Sequence, residues 1–145
     1  MAKVEHGWRG RGKVRVARFG DAVVFHLADV STRAGPLQAQ IRDFCRKEYR
    51  GLAPSSLPFA VRIWAELPDP DMRVDADTLG KACLDAFTGI LWRDDQQVRR
   101  LTVAKVEGRP RAVTIHAVPM LAVTDKRDLA ALREKIKEFD DGGGG

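Results

Sequence analysis

Long apolar runs are missing from this chain. Nothing approaches the roughly 18 consecutive apolar residues that a membrane-spanning helix requires, so a membrane-embedded protein is not expected. Cysteine is scarce as well. Cys45 and Cys83 stand far apart, with no CxxC pair and no histidine at ligand spacing, which excludes the usual signatures of a disulfide framework or a zinc site. Both are expected to be small core residues. His6, His26 and His116 share no ligand spacing, so each is expected to be structural or solvent-exposed rather than catalytic. The opening Met1-Ala-Lys-Val-Glu-His-Gly-Trp8 carries an acid and no apolar stretch, so a secretory signal is not expected and the protein is read as cytoplasmic. Internal repeats are absent, and low complexity is confined to Gly142 to Gly145.

What remains is an ordinary globular composition. The 145 residues suit one domain, with 44% hydrophobic and 31% charged residues. The sequence divides into a basic arm over 1–12 with room for flexibility, a domain over 13–139, and a flexible Gly-rich tail over 140–145. Net charge is +5, which favours a polyanionic partner, and it is unevenly spread. The first twenty residues hold Lys3, Arg9, Arg11, Lys13, Arg15 and Arg18 against Glu5 alone. Solvated surface is the default for any one of these cations.

Periodicity predicts the elements. Residues 13–19 and 22–28 are β-rich and separated by Gly20-Asp21, a hairpin signal. Pro36 to Arg50 places Leu37, Ile41, Phe44 and Cys45 at helical spacing, with Gly51 as the stop. From Phe59 the pattern alternates: Phe59, Val61, Ile63, Ala65 and Leu67 share one side of a strand, with Arg62 and Glu66 on the other. Pro68-Asp69-Pro70-Asp71 ends it. A second helix is predicted from Thr78 to Thr88, with Asp77 as cap, Gly89 as stop and Leu79, Ala82, Cys83, Ala86 and Phe87 buried. Val98–Val106 and Ala112–Val118 are predicted strands joined as a hairpin around Gly108-Arg109-Pro110. Leu129, Leu132, Ile136 and Phe139 mark a terminal helix starting near Thr124 or Asp125. The fold class is mixed, α/β or α+β: a small single domain with a mixed β-sheet and packed helices.

Acidic residues form the chemical pattern. In an extended segment, Asp75 and Asp77 would project to one side, a geometry for gripping a hard cation such as Mg²⁺. Lys81 lies one helical turn after Asp77 and one before Asp85, so the three share a face. Its ammonium suits either a modest i,i+4 ion pair or neutralisation of a phosphate undergoing displacement. Asp94 and Asp95 follow at a turn, where one is expected to be a ligand and the other a turn or supporting residue. The plain alternative is that these aspartates are caps and turn residues.

The stretch Asp75-Ala-Asp-Thr-Leu-Gly-Lys81, followed by Asp85-Ala86, Gly89 and Asp94-Asp95-Gln-Gln-Val98, resembles the RusA family of Holliday-junction resolvases, with their D-x-D-N-x-x-K, D-A and D-D-x-Q-V segments. The likeness covers roughly Phe59 to Val118 and is densest from Pro68 to Val98. It implies a RusA-like fold and a homodimeric endonuclease of DNA recombination and repair that makes paired, symmetric nicks in four-way DNA. It further implies Mg²⁺, with Mn²⁺ as a substitute, held by Asp75, Asp77 and Asp95, and catalysis by these with Lys81 beside the scissile phosphate. Asp85 and Asp94 take supporting roles, and Arg73, Lys81, Arg99 and Arg100 are the expected DNA contacts. A phage origin would place the protein in the host cytoplasm. Thr78 departs from the family's Asn, and Val74 from a frequent basic residue, leaving Arg73 as the nearest cation. A non-catalytic binder of branched DNA, a nuclease of flaps or forks, and a basic protein-interaction domain are the competing readings. Leu84 is placed either at a subunit contact or under the chain's own loops, and Trp8 and Phe19 either in the core or as wedges into a junction.

Overall fold

The β-hairpin at the start of the domain is built on Gly20, whose φ of 60° lies in the left-handed region that glycine enters without a Cβ penalty. It joins β1 (Val14–Phe19) to β2 (Ala22–Ala28) in antiparallel register, with Phe19 opposite Ala22. The structure, a computed structural model, describes residues 8–10, 12–48, 53–69, 73–120, 129–135 and 137. Expectations for His6, Gly51, Pro70, Asp71, Ile136, Phe139, the start of the terminal helix and the Gly-rich tail fall outside them. So do residues 1–7 and Arg11 of the basic arm.

Helix α1 (Ala34–Glu48) buries Leu37, Ile41 and Cys45 on one stripe. It begins two residues before Pro36, which stays in the first turn, where no intrahelical N–H is needed. Strand β3 (Phe59–Leu67) shows the strict alternation expected of it, with its odd-numbered residues buried. Helix α2 (Ala76–Phe87) follows, then a short 3₁₀ turn (Asp95–Gln97), β4 (Val98–Glu107) and β5 (Ala112–Pro119). Residues 129–135 and 137 are helical and exposed, Leu129 and Leu132 included.

The five strands make one mixed sheet in the order β1-β2-β5-β3-β4. Only β3 and β4 run parallel, as the intervening helix allows. This corrects the expected hairpin: β4 and β5 do not pair, because β3 lies between them and bonds to both. The connection from 108 to 111 passes over the end of β3, where the Gly108 amide donates to the Leu67 carbonyl and the Asp29 amide to the Arg111 carbonyl.

Both helices cover one sheet face, and the core lies between. Phe25, Leu27, Leu37, Ile41, Val61, Ile63, Leu79, Phe87, Trp92 and Ile115 are all buried there. An aromatic chain crosses it: Phe25 and Phe87 lie 4.7 Å apart between ring centroids, Phe87 and Trp92 6.0 Å, and Trp92 and Phe59 5.4 Å. Cys45 and Cys83 are buried free thiols, and burial pushes each up to about 12. Leu84 is half-buried and packs against this core. Among the described residues no helix is long and apolar enough to cross a membrane.

Candidate active site

Asp75, not Asp77, caps α2. Its backbone is extended (φ −77°, ψ 115°), and its Oδ1 accepts from the Asp77 amide at 3.1 Å. Its Oδ2 accepts from the Thr78 hydroxyl, also at 3.1 Å. Thr78 therefore takes up a supporting hydrogen bond of the kind the family's Asn could make, and keeps the Asp75 carboxylate oriented. Asp77 is already inside the helix. The two carboxylates thus stand at the cap and in the first turn of a helix, not along an extended segment. Both remain exposed.

Lys81 stands one turn further along α2, with its side chain 76% exposed. Its ammonium lies 3.9 Å from Asp85 Oδ2, a loose, solvated pair of small worth. The face shared by Asp77, Lys81 and Asp85 is as expected.

The Asp94–Asp95 turn is held by two devices. Trp92 is fully buried, and its indole N–H donates to the Thr88 hydroxyl at 3.3 Å, pinning the chain just before the turn into the core. Gln97 closes the turn from the other side. Its Oε1 accepts from the amides of Arg93 (2.8 Å) and Asp94 (3.0 Å), and its Nε2 donates to the carbonyls of Ser55 and Leu57, both at 2.8 Å. Asp94 Oδ1 is occupied as the cap, accepting from the Gln96 amide at 2.9 Å. Asp95 is left half-buried at the rim of an open depression of about 500 Å³, shared with Asp85, Asp94, Arg42 and Arg93. Within the Asp94–Asp95 pair, Asp94 is the one that caps the turn.

Gln97 and Trp92 were given no role by sequence reasoning. The signal for Gln97 was present as the Q of the D-D-x-Q-V segment; nothing local distinguishes Trp92 from any other core aromatic.

One chain does not bring the acids together. Because β3 and β4 are parallel, with Phe59 opposite Val98 and Leu67 opposite Glu107, the turn bearing Asp95 lies at the start of both strands. Asp75 and Asp77 follow the end of β3, and the 12 residues of α2, about 18 Å of helix, run between them and the turn bearing Asp95. Among the described residues no three His, Cys, Asp or Glu side chains are close enough to hold one cation. Asp75, Asp77 and Asp95 of a single chain therefore do not fit the expected metal.

Cations divide as well. Arg73 is exposed beside Asp75, and at the same end of the sheet lie Lys13, Arg33, Arg109 and Arg111, carried by loops whose backbones are cross-linked there. Arg33, Arg109 and Arg111 were not singled out from sequence, because they are adjacent only after folding. Arg99 sits at the other end, in a β-bulge where β4 gains a residue against Phe59/Ala60, and Arg100 follows it. Of the described histidines, His26 Nδ1 is 2.8 Å from the Thr114 hydroxyl, and half-buried His116 lies on the sheet face away from α1 and α2 with Arg62 opposite. Trp8 meets the edges of the Phe19 and His26 rings at 6.3 and 6.4 Å yet stays 45% exposed.

No curated protein matches the chain. A solved Salmonella typhimurium protein, provisionally described as a translation initiation inhibitor, resembles it at 14% identity and a TM-score of 0.41, over 81% of this chain and 100% of the other. Residues 29–116 match the family described as Endodeoxyribonuclease RusA. That span is more than half of the 145 residues and takes in α1, α2, the Asp75–Lys81 segment and the Asp94–Val98 turn, so the chain belongs to the RusA endodeoxyribonuclease family.

Proposed function

We propose that this nuclease resolves Holliday junctions as a Mg²⁺-dependent homodimer, with each cation held between two copies: Asp75 and Asp77 of one, Asp95 of the other. The observation that carries this reading is the separation just described. The family pattern supplies three carboxylates at matching positions, and the fold keeps Asp95 at the opposite end of α2 from the other two. A second chain would close that gap. A C2 dimer does so twice and presents identical sites to two strands of a near-symmetric four-way junction.

Asp75, Asp77 and Asp95 would hold the divalent cation, Mg²⁺ or Mn²⁺, which would supply acidification of the attacking water and charge neutralisation at the leaving oxygen. The chain's own part is positional and electrostatic. Asp75 is oriented by Thr78 and the Asp77 amide, and Asp95 by the Gln97 clamp. Lys81, exposed on the same helix, neutralises charge at the scissile phosphate. Arg73 with Arg33 and Arg109 at one end, and Arg99 and Arg100 at the other, contact the DNA backbone. Asp85 and Asp94 support, one beside Lys81 and one in the turn.

The test is cleavage of a labelled four-way junction in Mg²⁺, with linear duplex, flap and fork DNA as controls. Asp75→Asn and Asp95→Asn should each be inactive. Mixed and allowed to exchange subunits, they should regain activity, because each mixed dimer carries one site with no substitution; random exchange leaves about a quarter of sites intact. No recovery on mixing would place each site within one chain. Tight junction binding without cleavage by the unsubstituted protein would point to a non-catalytic binder, and preference for flaps or forks to a different nuclease.

A further inference from the structure

Helices α1 and α2 cover one face of the sheet, and strand alternation turns every second strand residue toward the other. Register lines these residues up across the strands. Arg15, His26, Thr114 and Trp64 form one row, on β1, β2, β5 and β3 in turn, and His116 and Arg62 stand side by side in the next. Arg15 and Arg62 are exposed, while His26, Trp64 and His116 are half-buried. Charge on this face is of one sign. Arg15 and Arg62 are joined by Arg100, opposite Ala60 on β4, and Glu66 is the single acid among the strand residues turned this way.

The rings are held in place by the chain itself. His26 Nδ1 is 2.8 Å from the Thr114 hydroxyl, its neighbour in the row. Arg9 exchanges two backbone hydrogen bonds with Val16 of β1, at 2.8 and 3.0 Å, and so fixes the segment carrying Trp8 along the sheet. The Trp8 indole meets the Phe19 and His26 rings edge-on and is still 45% exposed. His116 Nδ1 is buried without a hydrogen-bond partner among the described residues, an unmet polar atom in the middle of the face.

We propose that this face is a second nucleic-acid site, one that takes single-stranded DNA, with bases stacked on Trp64 and Trp8 and backbone phosphates at Arg15 and Arg62. The excess of arginine selects a polyanion. The rings select its form: a duplex keeps its bases stacked inside and gives a broad surface its phosphates, whereas a single strand lays its bases on aromatic side chains while its phosphates follow the cations. Stacking of this kind tolerates any sequence. The site is distinct from the acidic one. Asp75 and Asp77 lie at the start of α2, and Asp95 shares its depression with Arg42 of α1 and Asp85 of α2, all on the helix side of the sheet.

Titration of the full chain with an oligothymidine of about 15 nucleotides, in EDTA, tests this. Tryptophan emission should be quenched as the strand binds. Trp64→Leu should remove much of the quench and weaken binding, read by anisotropy of a labelled strand, by about tenfold. Arg62→Ala, at an exposed position, should leave the melting temperature unchanged and lower the slope of log K against log salt by about 0.7, and it decides the matter should Trp64→Leu fail to fold. No binding at low salt, or equal affinity in the parent and both variants, would overturn the site. Blunt duplex bound as tightly as the oligothymidine and without quenching would overturn the stacking and leave a surface for phosphates alone. With no branch in the probe and no divalent cation present, the result is independent of how the junction-cleavage test turns out.

Discussion

Asp75 carries two duties that different substitutions separate. As N-cap it satisfies the Asp77 amide and the Thr78 hydroxyl. Asp75→Ala removes that and should cost about 1 kcal/mol of stability, seen in a urea unfolding curve. Asp75→Asn keeps an oxygen acceptor, so its stability should stay near that of the parent while junction cleavage is lost; equal loss of stability in both would mean the charge itself holds the helix start. His116 gives a second prediction. Burial, and then the charge of Arg62, lower its pKa from the ordinary 6.5, so the folded state binds fewer protons than the unfolded state once pH drops below that value. Stability therefore rises with pH across the window just under 6.5 and is lost on acidification through it. Thermal unfolding between pH 7 and 5 should show a shallower decline for His116→Asn than for the parent; parallel curves would remove His116 as a source of the slope.

Elements decide where the chemistry sits. The β3-α2-β4 unit makes β4 parallel to β3, and so places a helix length between the aspartates before α2 and the one before β4. The turn bearing Asp95 is not a loose connection: Trp92 fills the core behind it, and Gln97 bonds four backbone groups around it. Gln97→Glu keeps the acceptor for Arg93 and Asp94 but turns a carboxylate toward the carbonyls of Ser55 and Leu57. The expected cost is about 1–3 kcal/mol, with a fall in melting temperature on the order of 5 °C. Cleavage should fall further than the unfolded fraction explains. A variant of parental stability and activity would show that the turn is held by Trp92 and its own cap alone.

At the scale of the whole molecule, the net charge of +5 is sorted by folding. Lys13, Arg33, Arg73, Arg109 and Arg111 come from four separate stretches of chain and lie toward one end of the sheet. Backbone contacts of this kind release counterions, so junction binding should weaken steeply with salt. Arg73→Ala and Arg109→Ala should each lower affinity whatever the DNA sequence and reduce the slope of log K against log salt by about 1. Anisotropy titrations across a salt series measure this, and an unchanged slope would take that residue out of the contact set.

Local order along the chain determined much of this protein. The period of two in β3, the apolar stripes of α1 and α2, the glycine turn at Gly20 and the face shared by Asp77, Lys81 and Asp85 are all written within a few residues, because dihedral preference and side-chain period are short-range properties. The order and chemical types from Asp75 to Val98 were enough to point to the family. Tertiary structure alone decided the rest. That β3 separates β4 from β5, that Asp75 takes the cap from Asp77, and that Arg33 and Arg109 come to the same end of the sheet follow from strand pairing and helix packing between distant residues. The same holds for the acids: spacing in sequence placed Asp75, Asp77 and Asp95 in one motif, and the parallel crossover set them a helix length apart. Sequence distance carries no direction in space, and direction is what divides a motif between the two ends of a sheet.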